Sequence, residues 1–136
     1  KGKEKENVNA IIALFSKNNP DFQYFFSSFD YFSLELMREK KPTVLLSYLI
    51  DKIENNTHLN NIIYKCLNIK CFSIGVDSYL VNERLIRKFK DNNLKITVFS
   101  NESIDYKTAV DLWNKGVDSI FVDNPIYFKK VLTYDK

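Results

Sequence analysis

The chain has 136 residues, 45% hydrophobic and 27% charged, with 11 Phe and 8 Tyr. That apolar mass supports one packed domain and excludes disordered and low-complexity classes. Three Gly and three Pro are too few for a sandwich of many tight turns. The net charge of +3 is scattered, with Lys3, Lys5 and Lys17 among acids, so no basic patch for nucleic acid stands out. The longest apolar run, Ala10–Phe15, is far short of the ~20 residues a membrane span needs. No apolar stretch behind basic residues marks a signal peptide. The compartment is therefore open, with the cytoplasm slightly favoured. The chain begins at Lys1 rather than Met, as a piece or a processed form of something longer does.

Along the chain, residues 1–7 read as a charged leader and 8–136 as the folded unit. Val8, Ile11, Ile12 and Phe15 fall on one helical face, which Asn18-Asn19-Pro20 ends. Tyr24–Phe29 has the aromatic pattern of a strand covered on both faces. Asp30 caps a helix through Leu34, Met37 and Arg38 that Pro42 closes, and Thr43–Leu49 is a second buried strand. Asp51–Asn61 reads as an Asn-rich loop before a helix over Ile62–Leu67, and Cys71–Val76 is strand-like.

Asp77 or Ser78 caps a helix carrying Val81, Leu85, Ile86 and Phe89, and Leu94–Phe99 is the next strand. Asn101 or Ser103 caps a helix with Tyr106, Ala109, Val110 and Trp113 on its face. Gly116 follows at the left-handed C′ position. Ser119–Val122 is the last strand and Ile126–Leu132 the last helix. Strict alternation predicts an α/β fold with a parallel sheet and right-handed crossovers. Two architectures satisfy it: a small open doubly wound sheet, or the C-terminal part of a (β/α)8 barrel, usually about 250 residues long.

In both, chemistry gathers at the carboxyl ends of strands. Those ends carry Ser28 and Asp30, then Asp51, Asp77, Asn101 and Glu102, and finally Asp123 and Asn124. Helix capping accounts for Asp30, Asp51 and Asp77. For Glu102 and Asp123 a site role stays open, because Ser103 and Asn124 are the more natural caps. Cys66 and Cys71 read as small buried hydrophobes, and with His58 alone they cannot supply four zinc ligands. His58, in the Asn-rich loop, reads as solvated, and the sequons at Asn55 and Asn101 as chance. The aromatics Phe25, Phe26, Phe29, Tyr31 and Phe32 read as core rather than as a base-stacking platform.

Leu94–Glu102 (LKITVFSNE), a helix, and then Gly116–Pro125 (GVDSIFVDNP) resemble the C-terminal end of the glycerophosphodiester phosphodiesterase family. There a strand ending Trp-Thr-Val-Asn precedes a helix, and a Gly-Val-Asp-Gly-Ile strand ends in Thr-Asp-x-Pro. Upstream, Ser27-Ser28-Phe29-Asp30 with Ser33–Arg38 resembles the family's Ser-Phe strand end and its helix, and Lys41-Pro42 with Leu45–Leu49 resembles the next strand. The resemblance runs from about Val8 to Leu132. Val98, Phe99 and Val122 depart from the family's Trp, Thr and Thr.

The resemblance implies the later part of a barrel of the phospholipase-C-like phosphodiesterase type. Glycerophosphodiesters or lysophospholipids would be its small-molecule partners, giving glycerol phosphate and an alcohol. Ser28, Phe29, Phe99, Asn101 and Asp123 would line the mouth and hold the glycerol or alcohol moiety. The family's paired His and the Glu and Asp that hold a divalent cation, Mg or Ca, belong to its earlier strands, so no catalytic residue and no bound metal is expected on this chain alone. Half a barrel offers four strands where five strand-like runs stand, so Cys71–Val76 is an extra strand or a loop. Such a part would show raw edges near Tyr24–Phe29 and Ser119–Val122 and an apolar inner face, to be closed by an N-terminal half or a second copy. The alternative is a non-catalytic α/β binding or scaffold module.

Overall fold

The computed structural model describes residues 2–18, 21 and 23–134, with side chains as far as 129. Helix α1 (Glu4–Asn18) is followed by β1 (Phe25–Ser28), α2 (Tyr31–Lys40), β2 (Leu45–Ile50) and α3 (Asn56–Asn68). Next come β3 (Ser73–Asp77), a 3-10 turn (Ser78–Leu80), α4 (Glu83–Asp91), β4 (Lys95–Phe99), α5 (Tyr106–Lys115), β5 (Ser119–Ile120) and α6 (Pro125–Tyr134). Part of the expected leader, Glu4–Asn7, is the first turn of α1, where its glutamates complement the helix dipole. Of the expected stop signal, Asn19 and Pro20 lie outside the described residues.

All pairings are parallel and the strand order is β1-β2-β3-β4-β5. Right-handed crossovers that always advance in one direction place every connecting helix on one face of the sheet. A doubly wound sheet needs a reversal of direction, which this order lacks. The chain is therefore singly wound, as a barrel is, and the open doubly wound alternative falls.

β3 is the central strand and is buried throughout, so Cys71–Val76 contributes a full barrel strand rather than a loop. β1, by contrast, is an edge strand with Phe25 exposed, not the doubly covered strand its aromatics predict.

The helix-side face carries Phe26, Leu46, Tyr48, Ile74, Val76, Ile96 and Val98, packed with Leu59, Ile62, Leu85, Ile86 and Phe89 of the helices. The opposite, concave face is more polar in its middle than expected. Ser73 Oγ donates to Ser47 Oγ at 2.7 Å, Thr97 Oγ1 to Ser73 Oγ at 3.5 Å, and Thr97 shares a hydrogen bond with Ser119 Oγ at 2.8 Å. Ser47, Ser73 and Thr97 are all buried. A strand interior lined by hydroxyls satisfies itself sideways, strand to strand, because the parallel register sets like positions abreast.

β5 is only Ser119–Ile120, and Asp118 lengthens its pairing. The Asp118 carboxylate accepts from the Ile96 N–H at 2.8 Å while its own N–H donates to the Ile96 carbonyl at 3.0 Å. The Gly-Val-Asp segment thus has a physical reason: Gly116 takes φ 99° to end α5, and Asp118 stitches the incoming strand to β4.

Candidate functional site at the carboxyl ends of the strands

The rim is built by capping. Asp30 accepts from the Ser33 N–H at 2.8 Å, as expected, and Asn124 accepts from the Tyr127 N–H at 3.1 Å. Elsewhere the caps fall later than the sequence indicated. Asp77 caps only the 3-10 turn, and α4 is capped by Asn82, which accepts from the Leu85 N–H at 2.9 Å. Neither Asn101 nor Ser103 caps α5; Asp105 does, accepting from the Thr108 N–H at 2.7 Å. The buried Ile104 just before it anchors the entry to the helix, and hydrogen bonds from Thr108 hold the Asp105 carboxyl below the usual carboxylate range.

His58 is not in a loop. Asn55 caps α3 by accepting from the His58 N–H at 2.8 Å, and the Glu54 N–H donates to His58 Nδ1 at 3.1 Å. The ring is half-buried and closes the first turn of the helix, correcting the solvated reading. Lys52, 3.1 Å away, and His58 hold the Glu54 carboxyl low.

Five residues are the sequence-based site set. Phe29 and Phe99 meet edge to face, ring centroids 5.4 Å apart, one just past β1 and the other at the end of β4. Asn101 and Asp123 are exposed on the turns after β4 and β5. Ser28 stands apart from the aromatic pair. It pairs in register with Tyr48 on the helix side, and its Oγ accepts from the Asp30 N–H at 3.0 Å, so it shapes the β1–α2 turn. A strand alternates faces, so neighbours Ser28 and Phe29 diverge.

Sequence reasoning gave Asp77 only a capping role. It is 6% exposed, in register with Phe99, and takes hydrogen bonds from the Ser78 hydroxyl (3.3 Å) and Tyr79 N–H (3.4 Å). The Tyr79 hydroxyl donates to the Asp51 carbonyl, tying the end of β2 to the turn after β3. The rim thus offers an aromatic wall beside a carboxylate, with polar groups on the flanking turns.

Among the described residues no three His, Cys, Asp or Glu side chains converge as a metal would require. The donors among the described residues do not by themselves fit a divalent metal. No helix among the described residues is long and apolar enough to cross a membrane.

A structure from Oleispira antarctica, a phosphodiesterase in complex with its product sn-glycerol-3-phosphate, matches with a TM-score of 0.81 at 22% identity. The match covers 97% of this chain and 51% of that one. A candidate glycerophosphodiester phosphodiesterase from Galdieria sulphuraria matches at TM-score 0.77 and 12% identity, over 98% of this chain and 52% of that one. Another, from Silicibacter pomeroyi, matches at TM-score 0.77 and 18% identity, over 97% of this chain and 45% of that one. The chain thus spans about half the length of these structures, and the likeness carries the fold: five consecutive strands of a (β/α) barrel. No curated protein sequence matches it. The model of the glycerophosphoryl diester phosphodiesterase family matches residues 1–127, which takes in the charged N-terminal residues as well as the Gly116–Pro125 element, and the chain belongs to that family.

Proposed function

We propose that this chain is the C-terminal part of the catalytic barrel of a glycerophosphodiester phosphodiesterase, which hydrolyses glycerophosphodiesters or lysophospholipids to glycerol phosphate and an alcohol. The observation that carries the reading is the Phe29–Phe99 contact at the carboxyl rim of a singly wound sheet in a member of this family. Barrel enzymes of this construction assemble their sites at that rim. In this reading the two rings form the apolar wall along the carbon skeleton of the glycerol or alcohol moiety. The Asn101 amide and the Asp123 carboxylate reach its hydroxyls from the next two turns. Ser28 acts indirectly, by fixing the turn that presents Phe29.

The acid–base pair and a divalent cation, Mg or Ca, come from the part of the barrel outside this chain. An eight-stranded barrel lacks three strands when five are present. A second copy would bring five more strands, two beyond closure, so the complement that fits is an N-terminal (β/α)3 portion rather than a duplicate. Both exposed edges, β1 and β5, are accounted for by that portion.

The test is glycerol phosphate release by a protein that carries the upstream sequence. Asp123→Ala and Phe99→Ala should lower kcat/KM for glycerophosphocholine more than His58→Ala does. An equal or larger loss for His58→Ala overturns the assignment of the rim.

A further inference from the structure

Helices α3, α4 and α5 end in the same way. A left-handed residue (Lys70, φ 52°; Asn93, φ 58°; Gly116, φ 99°) follows each, and the next N–H turns back to a carbonyl five residues earlier. Those bonds are Cys71 to Cys66 at 2.8 Å, Leu94 to Phe89 at 3.0 Å, and Val117 to Leu112 at 3.2 Å. The companion inner bonds, Lys70 to Leu67, Asn93 to Lys90 and Gly116 to Trp113, complete three Schellman motifs. That motif brings two side chains into contact, one on the last helical turn and one just past the left-handed residue. In α4 and α5 the pair is apolar and buried, Phe89 with Leu94 and Leu112 with Val117. In α3 both positions are cysteine.

The fold therefore presses two reduced thiols together where its sister units place hydrocarbon. Cys66 is fully buried and Cys71 is 9% exposed, and both are free thiols. Arg38 clamps the same turn, donating from Nε to the Ile69 carbonyl at 2.8 Å and from Nη2 to the Lys70 carbonyl at 3.1 Å. We propose that Cys66 and Cys71 are a redox-active dithiol, closed to a disulfide by a small peroxide and reopened by an external thiol.

The roles divide by environment. The neighbouring Cys66 thiol, and with it the Arg38 cation, outweigh burial, so the Cys71 thiol ionises more readily than usual. Cys66 is held protonated by the neighbouring Cys71 and by burial. The Cys71 thiolate attacks one oxygen of hydrogen peroxide, the O–O bond breaks, and hydroxide leaves to become water on gaining a proton. Cys66 sulfur then attacks the sulfenic sulfur of Cys71 and expels a second hydroxide, which takes the Cys66 proton. Two thiols and one peroxide give one disulfide and two waters.

The test treats the intact chain with one equivalent of hydrogen peroxide, natively and in urea, and follows free thiols and intact mass. The expected result is joint loss of both thiols, a mass decrease of about 2 Da reversed by dithiothreitol, and closure at least several-fold faster in the native chain than in urea. In Cys66→Ser, Cys71 should stop as a sulfenic acid that dimedone traps. Stable oxygen adducts on the native chain, covalent dimers, or closure no faster than in urea would overturn the proposal. None of these outcomes bears on phosphodiesterase activity.

Discussion

Phe29 and Phe99 touch across a sheet in which β1 and β4 are separated by two other strands. Three inter-strand spacings in a flat sheet would hold those strands roughly 14 Å apart. Their ring centroids are 5.4 Å apart at an interplanar angle of 87°. A sheet curled toward its concave side, with both rings reaching inward at its carboxyl rim, accounts for the contact. The curl belongs to barrels, and it joins two residues that the sequence supplies from segments 70 positions apart.

The contact should be measurable as a coupling. Edge-to-face aromatic pairs contribute about 0.5–1.5 kcal/mol beyond area burial. A double-mutant cycle of Phe29→Ala and Phe99→Ala, read by urea unfolding, should return a coupling in that range. Strict additivity would mean that the rim does not hold its curl through this pair.

The hydroxyl row on the concave face gives a second expectation. Ser73 sits between Ser47 and Thr97, so Ser73→Ala strips Ser47 of its partner in the row, while Thr97 keeps its bond to Ser119. Leaving buried polar groups unpaired should cost about 1–3 kcal/mol. Ser47→Ala combined with Ser73→Ala should cost less than the sum of the two, because one change removes the partner the other strands. Additive losses would contradict the row.

Gly75 lies between two occupied positions on the same face, and a Cβ there would fall 2.3 Å from Leu49 Cδ2. Gly75→Ala should destabilise the chain by no more than about 1 kcal/mol, since the half-buried Leu49 side chain can shift to relieve the overpacking. The clash is with the end of a side chain, so a Leu49→Ala background should remove most of that cost. If the loss persists there, the cause lies in the backbone of β3.

Asp105 makes acid stability specific. Its carboxyl ionises below its ordinary value of 3.8, chiefly because the Thr108 hydroxyl and N–H donate to it. A folded pKa below the unfolded one adds stability that is complete above pH 3.8 and lost as pH falls through the folded value. Asp105→Asn should therefore flatten the acid limb of a urea-midpoint series and leave its alkaline side unchanged. An NMR titration placing Asp105 at or above its ordinary value would contradict this.

Much of the frame was legible in the sequence, because alternating apolar runs and a C′ glycine are local signals. Gly116 marks its turn openly, whereas Lys70 and Asn93 adopt the same left-handed geometry without a glycine to announce it. The Asn-rich segment hid the start of α3 because its first buried residue, Leu59, comes a full turn after the Asn55 cap. The run Cys71–Val76 reads as strand-like but exceeds the four strands of half a barrel, and pairing with two neighbours makes Ser73–Asp77 the central strand. Of the proposed site, Asn101 and Asp123 are legible as strand-end residues, whereas Phe29 and Phe99 come from the family resemblance. That Ser28 turns away and Asp77 turns in depends on strand parity at the rim, which a one-residue uncertainty in a strand boundary reverses.

The central claim is that this chain completes a phosphodiesterase barrel whose acid–base and metal-binding groups lie outside it. The direct measurement is glycerol phosphate release from glycerophosphocholine with Mg²⁺ or Ca²⁺, comparing the 136-residue chain alone with the protein extended through its upstream sequence. The account predicts no turnover by the chain alone and metal-dependent turnover by the extended protein. Turnover by the chain alone that disappears in Asp123→Ala would contradict it.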